Sequence, residues 1–194
     1  MASLSLPILT KHPSTPTNQP VPVPDTPNPL VSIICTEETI QSDILTQILT
    51  EAYAKNPTAP PSLIILSTNS TTTIQQLTPD SATQPPLKPF TSPFLGMTET
   101  KVAEFIATAC AGSAISSKLF YIADDRTAAT GTLQAVFMYS DDHWSRASFP
   151  MEWEFANVAA VGVMRDPERG GEKLLSVIWK GIYRGKQGGE GWGR

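Results

Sequence analysis

The sequence has little of what usually makes a chemical claim. Two cysteines and two histidines in 194 residues exclude a disulfide scaffold and leave almost nothing for a Cys/His metal centre. Cys35 closes an apolar run and Cys110 falls inside a predicted helix; with no CxxC spacing and no nearby histidine, both read as buried free thiols. His12 sits in a proline-rich tail and His143 in a polar turn, which makes a poor ligand set, so no metal site is expected. Basic charge is also scarce. With 14 Lys and Arg against 18 Asp and Glu, the net charge of -4 argues against binding nucleic acid through the overall field.

Long hydrophobic runs are missing too. No window reaches the roughly eighteen apolar residues of a membrane-spanning helix, and Pro7, Lys11 and Pro13 interrupt the N-terminus before a signal-peptide core can form. The expectation is a soluble protein of the cytoplasm, with the nucleus not excluded, and no membrane or nucleic-acid partner. Phosphate-binding glycines are equally absent. The first apolar run leads into CTEETIQ, where a dinucleotide fold would carry GxGxxG; that segment has no glycine and places two carboxylates where phosphate would lie. GxxxxGK[ST] and GxSxG do not occur, and no cofactor is expected.

Proline is plentiful but unevenly spread. Sixteen of the 18 prolines fall at or before Pro93, so the first half must be interrupted by loops, while the second can run in longer elements. Residues 1–29 read as a disordered, polyproline-like arm. LVSIIC (30–35) has the β-branched apolar run of a strand buried on both faces. Thr36 then reads as a helix N-cap with Glu37 and Glu38 in the first turn, and Ile40, Ile44, Leu45, Ile48, Leu49 and Ala52 share one helical face. SLIILS (62–67) is a second strand, at a spacing that fits a crossover between parallel neighbours. Residues 68–97, rich in Thr, Ser, Gln and Pro, read as a flexible surface insertion.

A second helix is expected from Thr98 to about Gly112, followed by strands at 118–124 and 132–140. The connection between these strands is too short for a helical crossover, so they should be antiparallel. The stretch 153–164 fits either helix or strand. A last helix follows at about 174–182, with Lys173, Lys180 and Arg184 on its basic face, before a glycine-rich tail at 186–194.

Asp124-Asp125 and Asp141-Asp142 both follow apolar strands, and four carboxylates gathered together would suit a hard cation. In an antiparallel hairpin the two pairs lie at opposite ends, about 20 Å apart, so one shared metal site is excluded. Asp124 beside Arg126, with Arg146 nearby, can be read as a catalytic acid and anion clamp, or as residues that close a turn. Asp141-Asp142-His143 reads more simply as a polar turn.

The runs LVSIICTEETIQSDILTQIL, LGMTETKVAEFI, FYIADDRTAATGTLQAVFMYSDD and FPMEWEFANVAA resemble an uncharacterised family of small α/β domains of unknown function found in fungi and actinobacteria. Thr36-Glu37, Ala123-Asp124 with Arg126, and Phe149-Pro150 with Trp153 and Asn157 carry the likeness, over roughly Leu30 to Val163. The resemblance implies a fold rather than an activity. It offers Trp153 and Asn157 as ligand or partner contacts.

The expected architecture is an α/β domain (with α+β as the alternative) over 30–185, a single mixed sheet covered by helices between flexible ends. The expected function is a non-catalytic interaction or small-ligand-binding module. Its alternative is an enzyme with an Asp/Arg site at the end of the third strand. A protein partner has two candidate handles, the proline-rich arm and the basic C-terminal helix.

Overall fold

A computed structural model of the chain describes residues 30–139 and 146–165. The proline-rich arm, the polar turn with Asp141, Asp142 and His143, the expected last helix and the glycine-rich tail lie outside the described residues.

The first strand, β1 (Leu30–Cys35), is buried at every position. Its side chains divide between two cores by simple alternation: Val31, Ile33 and Cys35 point to one face, Leu30 and Ile34 to the other. Helix α1 (Ser42–Ala54) covers the first face through Leu45, Ile48, Leu49 and Ala52. It begins later than the Thr36 cap predicts. The Thr36 amide and hydroxyl are both committed to the carbonyl of Ala123, at 3.0 and 3.3 Å, so this residue extends the sheet and cannot start a helix. The Asp43 carboxylate accepts from the Ile44 amide at 2.9 Å and supplies the negative charge of the first turn.

Strand β2 (Leu63–Ile65) pairs parallel to β1, as the strand–helix–strand spacing requires. The following segment is not a bare surface loop. It forms helix α2 (Thr71–Gln75) and a 3₁₀ turn at Pro79–Ser81, and it buries Ile74 and Phe94 completely. Thr83 covers the outer edge of β2: its amide donates to the Leu63 carbonyl at 2.8 Å and its hydroxyl accepts from the Ile65 amide at 2.9 Å. Apolar content in this segment is sparse, so sequence periodicity hides the two residues that anchor it.

Helix α3 (Glu99–Ala109), capped by the Thr98 hydroxyl, packs Val102, Ala103, Ile106 and Ala109 on the second face. It leads to β3 (Ile115–Ala123), parallel to β1 on the side away from β2, with a register shift near its start. A short connection containing α4 (Thr127–Thr130) returns the chain into β4 (Thr132–Met138), antiparallel to β3 as expected. Gly131 takes the left-handed conformation, φ 67°, that ends this turn.

The strand β5 (Arg146–Glu152), not anticipated from the sequence, pairs antiparallel with β4 and completes a mixed five-stranded sheet in the order β2-β1-β3-β4-β5. Pro150 is tolerated because, among the described residues, β5 is an edge strand. The ambiguous stretch resolves as a 3₁₀ turn at Trp153–Phe155 and helix α5 (Ala156–Arg165), which joins α1 on the first face. Its alanines allow close approach to the sheet, where the Ala156 carbonyl accepts from the buried Tyr121 hydroxyl at 2.9 Å. Among the described residues, no helix is long and apolar enough to cross a membrane.

If the 68–97 segment is part of the core, Phe94→Ala should destabilise the protein by about 3–5 kcal/mol in urea unfolding, as a buried aromatic does. A loss below about 1 kcal/mol would show the segment to be dispensable packing.

Candidate functional site

In an open α/β sheet, ligands gather beyond the carboxyl ends of strands where the winding direction reverses. Here that point lies between β1 and β3, since β2 is added on one side of β1 and β3 on the other. The chain closes this crevice with its own atoms. The Ser92 hydroxyl donates to the Cys35 carbonyl at 2.6 Å, the Gly96 amide to the Thr36 carbonyl at 2.9 Å, and Thr36 bridges to β3 as described. A shallow hollow of about 250 Å³ remains beside Cys35, Phe90 and Glu37. Burial raises the pKa of the Cys35 thiol, with the Glu37 charge adding to it, so Cys35 is not an activated nucleophile. Burial pushes Cys110 up to about 12.

The larger concavity, about 410 Å³, lies one strand further along, at the end of β3 and over β4 and β5. Alternation places Gln134 on the face that carries Val136 and Met138, with Ser148 and Pro150 opposite Val136 and Gln134 on β5. Thr130, Thr132 and Phe149 complete the wall, and Asp124 and Arg126 form the rim.

The rim is built by the turn itself. The Asp124 carboxylate accepts from the Arg126 amide at 3.1 Å and from the Thr127 hydroxyl at 3.4 Å. The Thr127 hydroxyl in turn accepts from the Asp124 amide at 2.9 Å. Thr127 is fully buried, so these bonds are shielded on one side. The other carboxylate oxygen takes both Nε, at 3.0 Å, and Nη2 of Arg126. Burial alone would raise the Asp124 pKa, but the hydrogen bonds and charge of Arg126, with Thr127 helping, outweigh it and hold the group below its ordinary value. The same carboxylate holds the Arg126 guanidinium above its own.

From Arg126 the bonds continue across the sheet. Its Nη2 donates to Gln134 Oε1 at 2.7 Å; Gln134 Nε2 donates to Glu99 at the start of α3 at 2.6 Å; and Glu99 accepts from Arg146 Nε at 2.8 Å. Arg146 also reaches the Thr100 hydroxyl at 2.9 Å. Arg146, distant in sequence from Asp124 and Arg126, thus belongs with them to one chain of bonds, joined through Gln134 and Glu99. Sequence reading missed both connectors. The one available signal was Gln134, a polar residue interrupting the apolar run of β4.

Trp153 and Asn157 are not brought to this site. Trp153 packs in the core on the α1 face and donates its indole N–H to Glu51. Asn157, fully buried, accepts from the Ser62 amide at 3.0 Å and donates to the Pro60 carbonyl at 3.4 Å, securing the entry to β2. Among the described residues no group of three or more Cys, His, Asp or Glu is placed to hold a metal ion. In comparisons with known proteins, the chain matches no family model, no curated protein and no solved structure.

The sign of the Asp124 shift sets a test. A depressed folded-state pKa contributes stability above the unfolded value, near 3.9, which is lost as pH falls through the folded value. Asp124→Asn should therefore cost about 1 kcal/mol at pH 7, and the gap to wild type should close on acidification through that range in parallel urea titrations. A gap independent of pH would show that the carboxylate charge is not what holds the turn.

Proposed function

We propose that the protein is a non-catalytic module that binds a small polar ligand in the concavity over β4 and β5. The observation that supports this is the bond chain Asp124–Arg126–Gln134–Glu99–Arg146, which fixes planar polar side chains along an open hollow. Such preorganisation lowers the entropy lost on binding. The hollow lies at the small end of the usual range for ligand sites, about 300–1,000 Å³. Four residues that carry the family resemblance, Asp124, Arg126, Phe149 and Pro150, line it together.

The rival reading, an enzyme using Asp124 as acid and Arg126 as clamp, finds less support. A general acid at neutral pH needs a raised pKa, whereas that of Asp124 is lowered. Its strongest partner is also the arginine that the rival reading assigns to substrate.

The direct test is a thermal-shift screen of a metabolite library on the full chain and on Ser148→Trp. Ser148 is exposed, so the indole fills the hollow without disturbing the core. At least one compound should stabilise the wild type and lose its effect in the variant. Hits that survive the substitution, or a screen with none, would reject this site.

A further inference from the structure

We propose that the ligand of this concavity is a small neutral polyol, of monosaccharide size, held through adjacent hydroxyl groups. The inference rests on the reading of the hollow as a ligand site and adds the chemistry of the occupant.

Charge comes first. The two charged residues that line the hollow, Asp124 and Arg126, cancel each other. A second carboxylate, Asp125, lies 4.0 Å from the guanidinium, so an incoming anion meets more negative than positive charge. A cation meets the exposed guanidinium instead. Behind the wall, Glu99 and Arg146 also cancel. An anion therefore gains no net partner, and a cation finds the carboxylate that lines the hollow, Asp124, already taken by Arg126.

The donors and acceptors left over then define the ligand. Gln134 uses its amide oxygen on Arg126 and one of its two amide N–H groups on Glu99, which leaves the second N–H. Arg126 commits Nε and Nη2 within the protein, leaving the Nη1 donors for a ligand. The Thr130 hydroxyl donates to the Arg126 carbonyl at 2.8 Å. In its 2.6 Å contact with Thr132 it must therefore accept, and Thr132 has spent its only proton. Thr132 thus presents lone pairs alone. Ser148 is exposed and its hydroxyl has no protein hydrogen bond among the described residues, so it can both donate and accept.

Donors on Arg126 and Gln134, an acceptor on Thr132 and a group that is both on Ser148 match adjacent hydroxyls, each of which also donates and accepts. A carboxylate has no proton for Thr132, and an ammonium has no lone pair for Arg126. Pro150 offers apolar contact for the C–H face of such a molecule.

The test is saturation-transfer NMR on the full chain with D-glucose, D-galactose, myo-inositol and glycerol, set against inorganic phosphate, acetate and ammonium. At least one polyol should bind, with no competition from the ions. Its dissociation constant should rise about fivefold or more in Ser148→Ala and in Arg126→Lys, each checked for folding by circular dichroism. Preferential binding of an ion, no polyol binding, or affinities unchanged in both variants would overturn the proposal. If a charged metabolite is the compound lost in Ser148→Trp, the ligand class is wrong and the site stands. If no compound is lost there, the site falls as well.

Discussion

The connection from β3 to β4, closed by Asp124, is the constraint on which the rest of the site depends. In eight residues it must reverse the chain, and it does so with side-chain bonds rather than length. Three consequences follow from that economy. The sheet changes from parallel to antiparallel, Arg126 is delivered above β4, and the acidic residue that serves the turn is the same one that binds the arginine. The far end of β4, at Met138, is about 20 Å along the strand from Thr132. The bond chain through Gln134 and Glu99 spans that length and reaches Arg146, which pairs with Met138.

The other half of the architecture explains why the hollow lies over the antiparallel strands. The reversal point between β1 and β3 is where an α/β sheet has unpaired carbonyls and room for a ligand. In this chain Ser92 and Gly96 satisfy the carbonyls of Cys35 and Thr36, and Phe94 is driven into the core beside them. Thr36 adds a bridge to Ala123. Among the described residues, what remains open is the margin of the sheet over β4 and β5, which carry polar side chains outward. The hydroxyl of Ser32, buried in the middle of β1, has no hydrogen-bond partner among the described residues.

Much of the fold was legible because it follows from periodicity. The continuous apolar runs of β1 and β2, the helical stripes of α1 and α3, and the antiparallel return into β4 all rest on side-chain spacing and loop length. The failures have physical causes. Thr36 and its two glutamates have the composition of a helix start, but a long-range bond to Ala123 outcompeted local capping. β5 does alternate, with Ala147, Phe149 and Met151 inward, yet Pro150 obscures it in a sequence reading. Ile74 and Phe94 are too isolated to make a pattern. The site was half legible: Asp124, Arg126 and Arg146 stood out as charged residues beside apolar strands. Gln134 and Glu99, which join them, meet only through the fold.

The resulting chemistry is one of fixed, mutually neutralised groups. Asp124 is engaged four ways, Gln134 at both ends of its amide, and Glu99 by a strand on one side and an arginine on the other. Groups so occupied hold shape better than they move protons. That claim reduces to whether the turn and the sheet are energetically coupled through the Arg126–Gln134 bond. A double-mutant cycle with Arg126→Ala and Gln134→Ala, read by urea unfolding, measures it. The account predicts a coupling of about 0.5–1 kcal/mol, whereas additivity to within about 0.3 kcal/mol would contradict it.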